Sequence, residues 1–148
     1  MTEIYCYRLK TKREMEYGER MDKPMVLEEG ECYGYDYKIV SFGTHPCAYI
    51  KVDQNNLLFG KFYTAVDNDN TCPAHGGFTY CNGSILAGST DVLLDVEDGW
   101  WFGWDYSHIG DYNSIMPDIG GKKWRVVEIR QNVAEVAHWL EKYEIKTR

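Results

Sequence analysis

Val126, Ile129, Val133, Val136, Leu140 and Tyr143 recur at steps of three and four residues, the spacing of one face of an α-helix. Arg125, Glu128, Glu135 and Lys142 fall off that stripe and would solvate the outer face. A helix with one apolar face must lay that face on another element, and here it follows segments that read as strands. The chain is therefore expected to be α+β: a meandering, mainly antiparallel sheet packed by one C-terminal helix.

The strand readings rest on alternation and on turn residues. Residues 4–10 read as a first strand, 33–42 as a second and 48–52 as a third, the last two joined across Gly43-Thr44-His45-Pro46. Residues 12–29 are heavily charged and carry Gly18 and Pro24, so they read as a loop, with at most a short helical turn. Asn55-Asn56 is a turn, and 67–70 (Asp-Asn-Asp-Asn) is a loop. Short strands follow at 78–81 and 92–96. The clearest strand is 100–105, where Trp100, Phe102 and Trp104 would share one face and Trp101, Gly103 and Asp105 the other. A long loop at 106–121 reads as functional rather than a mere connector.

Composition narrows the class. A chain of 148 residues with 14 glycines and 12 tyrosines suits one domain rich in strands and tight turns. A net charge of −7 argues against a general nucleic-acid binder, which needs a cationic face. No apolar run approaches the roughly 20 residues of a membrane span, and the start carries no export signal, so neither membrane nor secretion is expected. In that setting the five cysteines read as reduced thiols, several of them buried. A sharper alternative makes Cys72, His75 and Cys81 zinc ligands, although no second tight pair follows.

Two segments gather the chemistry. His75 precedes Gly76-Gly77, which lets an imidazole sit at a pocket rim, unless the pair is only a turn into the next strand. Asp105, His108 and Asp111 stand three apart, so one helical or 3₁₀ turn would project all three to one side. Such a set suits a His oriented by carboxylates for proton transfer, or a metal of mixed N/O preference, Zn or Mn rather than Ca. Capping accounts for one of the aspartates more readily than for the other aspartate and the histidine. Trp101, sharing a face with Asp105, is expected in the same pocket as His75 as a stacking platform, with Tyr106 beside it. Trp100 and Trp104 read as core. Lys61, after Gly60, could meet an anion, while His45 and His138 read as surface residues. No Walker loop, nucleophile elbow, zincin motif or Rossmann fingerprint is present.

The order of these pieces resembles a group of small proteins encoded by tailed bacteriophages. The likeness rests on Pro46-Cys47-Ala48-Tyr49-Ile50-Lys51-Val52, Gly60-Lys61, His75-Gly76-Gly77-Phe78-Thr79-Tyr80, and Trp100-Trp101-Phe102-Gly103-Trp104-Asp105 with His108 and Asp111. It spans about residues 46–144. The chain departs from the pattern at Trp104 and at Tyr106-Ser107, and has Asn56-Leu57-Leu58-Phe59 where the pattern has a His-Pro before the Gly-Lys. The resemblance implies phage origin and a host-cytoplasmic location. It carries no activity with it.

Three functions are open at this point. One is a phage accessory protein that binds or sequesters a polar, nucleotide-like small molecule to counter host defence, using Lys61, His75, Trp101 and Tyr106. The second is a small metal-dependent hydrolase built on His75, Asp105, His108 and Asp111. The third is an acidic inhibitor that covers a host protein.

Overall fold

A computed structural model describes residues 7–66, 71–87, 91–92 and 99–147. Its main sheet has the order β1 (Tyr7–Lys12), β2 (Met25–Cys32), β3 (Tyr35–Ser41), β4 (Pro46–Val52), β8 (Trp100–Asp105) and β5 (Tyr80–Asn82), and every neighbouring pair is antiparallel. Strands β1 to β4 form a meander. Strand β5 then takes the outer edge and β8 inserts between it and β4. A separate two-stranded ribbon pairs β6 (Leu86–Ala87) with β7 (Asp91–Val92), and a short helix, α1 (Tyr63–Val66), follows β4. The expected α+β architecture is the one observed, with helix α2 (Val126–Thr147) on one face of the sheet. Among the described residues no helix is long and apolar enough to cross a membrane.

Helix α2 forms for the reason its spacing gives. Val126, Ile129, Val133, Val136 and Leu140 are buried, joined by Ala134 and Ala137. Its start is fixed by the Glu128 carboxylate, which accepts the Arg125 backbone N–H at 2.9 Å, one half of a capping box. The stripe meets Tyr37, Ile39, Ala48, Ile50, Phe102 and Trp104 from the sheet. Alternation along β8 holds as expected, because Trp101 turns to the opposite face and packs with Val40, Cys47, Tyr49 and Ile85.

The segment at 12–29 departs from the loop expected there. Met25–Cys32 is an inner strand, paired with β1 on one side and β3 on the other. Its acidic residues hid it. Glu28 is fully buried, where it accepts two hydrogen bonds of 2.8 Å from Arg130 of α2 and one of 2.6 Å from the Tyr37 hydroxyl. A register shift between Val26 and Glu28 marks a bulge at Leu27, which sends both Leu27 and Glu28 toward the helix. Of the strand expected at 4–10, the described part is β1, which continues past residue 10 to Lys12; residues 4–6 lie outside the described ones. The expected loop at 67–70 and most of the expected strand at 92–96 also lie outside them.

Candidate functional site

The site is built at the C-terminal end of β8, where the half-buried Asp105 follows the buried Trp104. Tyr106 continues from Asp105 and drops into the core with no exposed surface, its ring stacked on the His75 imidazole at 4.8 Å and 5°. Its hydroxyl donates to Asn132 Oδ1 of α2 at 2.6 Å. The same oxygen accepts the Trp104 indole N–H and the His75 backbone N–H, both at 3.1 Å, while Asn132 Nδ2 donates to the Pro73 carbonyl at 2.8 Å. One buried helix residue therefore fixes the strand end, the stacked tyrosine and the segment carrying His75.

The chain then turns so that Asp111 comes back under the histidines. Its side chain is 4% exposed. Oδ2 lies 2.8 Å from His75 Nε2 and accepts the His108 backbone N–H at 2.9 Å, and Oδ1 accepts the Trp124 indole N–H at 2.8 Å. Burial works against the charge, but these donors overcome it and hold the carboxyl below the usual aspartate range.

His108 sits differently. Its Nδ1 is 3.5 Å from Asp105 Oδ1 and 3.6 Å from Asp111 Oδ2, buried, and without a hydrogen-bond partner. The ring packs against Gly76, where an added Cβ would stand 2.5 Å from His108 Nε2. Gly76 is also at φ +75°, so both its lack of a side chain and its left-handed backbone are used. The ligand atoms of His75, His108 and Asp111 all lie within 4.8 Å of one another, and this is the one such cluster among the described residues. Asp105, with its side chain 31% exposed, stands at the edge and accepts the Ser107 N–H at 3.1 Å. Both aspartates thus do local backbone work and also face the imidazole. The structure brings His75, His108 and Asp111 together, while Asp105 approaches only His108.

Other expectations need correction. Trp101 does not share a pocket with His75: it is 1% exposed, on the far face of the sheet, and its indole N–H has no partner. The strand's two-residue period put Trp101 opposite the face that carries Trp104 and, through Asn132, His75. The room opposite Gly103 is filled by the Tyr49 ring and the Cβ of Tyr80, and the two tyrosine rings meet edge to face at 5.2 Å. Tyr106 is covered by His75 and is no stacking surface for a ligand. The Lys61 carbonyl accepts the Trp100 indole N–H at 2.9 Å, which sets that backbone at the opposite end of β8 from Asp105, about 17 Å away along the strand. Cys72 and Cys81 are not in disulfides and are not among the ligand-type groups that cluster with His75. His138 is exposed as expected, but His45 is half-buried, bonded to Thr44 Oγ1 at 2.8 Å and packed on Phe42, and burial lowers its pKa.

Asn132 and Trp124 were missed at the sequence level. Asn132 did leave a trace, a polar residue beside Ile129 and Val133 on the buried side of the stripe. Trp124, just before the helix, left none.

No protein-family model, curated protein or solved structure matches this chain.

Proposed function

We propose that this chain is a phage-encoded accessory protein that acts in the host cytoplasm as a small metal-dependent hydrolase, with His75, His108 and Asp111 as the metal ligands. The observation that carries the reading is the convergence of two imidazole nitrogens and one carboxylate oxygen within 4.8 Å, one of those nitrogens buried with no partner. Ligand atoms each about 2.0–2.1 Å from a tetrahedral zinc stand about 3.3 Å apart, so modest side-chain rotation closes the set. Mixed N/O donors suit Zn or Mn. A metal held this way supplies a water whose proton is lost near neutral pH.

The chain's own residues do the rest. Asp111 is kept ionised by its three donors. Trp124 and the His108 backbone hold its orientation when His75 turns toward the ion, and the Tyr106 ring restricts that turn to the imidazole plane. Asp105, at the exposed edge beside His108, is the carboxylate placed to take a proton.

A second reading is favoured by one distance. His75 Nε2 and Asp111 Oδ2 are 2.8 Å apart, a direct hydrogen bond, which suits a carboxylate-oriented imidazole working without metal. One experiment covers both. The chain is stripped with EDTA, titrated with Zn²⁺ and Mn²⁺ by calorimetry, and assayed on ester, amide and phosphoester substrates before and after loading. One equivalent bound, lost in His75→Ala and His108→Ala, with turnover only in the loaded protein, supports the metal reading. Turnover that persists in EDTA supports the second, and no stoichiometric binding overturns the first.

A further inference from the structure

The loop that carries His108 and Asp111 also holds large apolar side chains in water. Ile109 is fully exposed, Ile119 is 74% exposed, and Ile115 and Met116 are 59% and 55% exposed. Single exposed aliphatic residues are ordinary, but several in one loop beside polar site residues mark a binding surface. The loop is not loosely held. Asn113 Oδ1 accepts the Ile115 N–H, Asn113 Nδ2 donates to Ser107 Oγ, and the Ser114 N–H donates to the Thr44 carbonyl. A 3₁₀ turn at Pro117–Ile119 and the hydrogen bond from Lys122 N–H to the Gly110 carbonyl close it. The apolar groups are therefore presented on a preformed frame, which lowers the ordering cost of binding.

Ile109, Met116 and Ile119 line a cavity of about 220 Å³ whose other wall includes His108, Asp111 and Asn113. No lysine or arginine lines it. A phosphate-bearing ligand would meet a carboxylate there and no cationic side chain beyond a bound metal ion. We infer that the site takes substrates whose scissile or metal-seeking polar head is joined to an aliphatic chain, with the head at His108 and Asp111 and the chain on Ile109, Met116 and Ile119. This rests on the hydrolase reading for what happens at the head, while the apolar wall stands apart from it.

A homologous series separates the two. Binding of alkyl hydroxamates from aceto- to octanohydroxamate is measured by calorimetry in Zn²⁺ and again in EDTA. The slope of affinity against chain length reports the apolar wall, and the offset between the two conditions reports the metal. Affinity is expected to rise about fourfold per methylene until the cavity fills. In Met116→Ser and Ile119→Ser the slope should flatten, with the zinc offset and the melting temperature unchanged. A slope of zero in both conditions overturns the inference and leaves the metal centre standing. A preserved slope with no zinc offset overturns the metal reading instead. If the wild type sediments as a dimer that Ile119→Ser breaks, with a flat slope, the patch is a contact between copies and the inference fails.

Discussion

The two faces of the sheet solve burial differently. The far face, with Val40, Cys47, Tyr49, Ile85 and Trp101, is sealed by apolar contact. The helix face buries far more bulk, and it also takes in two polar hubs: Glu28 with Arg130 and Tyr37, and Asn132 with Trp104, Tyr106 and the His75 backbone. Buried polar groups are costly unless satisfied, and here nearly every hydrogen-bonding position of both hubs is used. Directional bonds of this kind fix position in a way that apolar packing does not. The side that positions the histidines is accordingly the one with these two hubs, whereas Trp101 on the other side contributes bulk, with the Lys38 and Lys51 ammonium groups 6.0 and 5.7 Å from its ring centroid.

Breaking the first hub should have the largest effect. Arg130→Ala strands the Glu28 carboxylate in the core and should cost about 3–5 kcal/mol in denaturant unfolding, with the double variant Glu28→Leu/Arg130→Leu recovering most of it. A loss below about 1 kcal/mol in the single variant would mean the hub does not tie helix to sheet. Trp101→Ala should cost a similar amount, about 3–5 kcal/mol, through the cavity it leaves. Calorimetry should nevertheless find its zinc affinity unchanged, and a large drop would show that the two faces are not independent.

Asn132→Ala sharpens the contrast on the helix face. Removing the shared acceptor should cost about 1–3 kcal/mol, because the Tyr106 hydroxyl and Trp104 indole keep only each other. Since the residue positions His75 rather than binding metal, zinc affinity should fall about 10- to 100-fold while one-to-one stoichiometry survives. His108→Ala should behave in the opposite way. Its Nδ1 makes no hydrogen bond to lose, so the melting temperature should stay nearly unchanged while zinc binding disappears. A large drop in melting temperature with binding retained would make His108 a structural residue.

The smallest effect concerns His45, on the loop between β3 and β4. Burial lowers its pKa in the folded chain below the ordinary 6.5, so the unfolded state takes up a proton first as the pH falls. The stability it contributes is therefore fully present above 6.5 and is lost from there down toward the lowered folded value. Thermal unfolding between pH 7.5 and 5.5 should show a shallower decline in His45→Gln than in the wild type. Equal slopes would remove His45 from the account.

Much of the fold was legible in the chain because period is a local property. The three-and-four spacing of Val126 to Leu140 and the alternation of Trp100 to Asp105 need no tertiary information, and they gave the helix, the strand and the α+β class. The same local reading placed His108 and Asp111 together, since a turn of a few residues brings them back on one another. Met25–Cys32 was illegible for the converse reason. Glu28 looks like a solvent residue until Arg130, more than a hundred positions away, neutralises it.

Alternation also showed that Trp101 and Trp104 part company, but it could not say which of them lies on the side of His75. That depended on where α2 packs and where Asn132 points, and both are set by contacts between residues far apart in the chain. The sequence by itself determined the elements and the short-range pairing of imidazole and carboxylate. Only the tertiary structure decided which face became the site, because burial and long-range hydrogen bonds are shared between segments and belong to no one stretch of sequence.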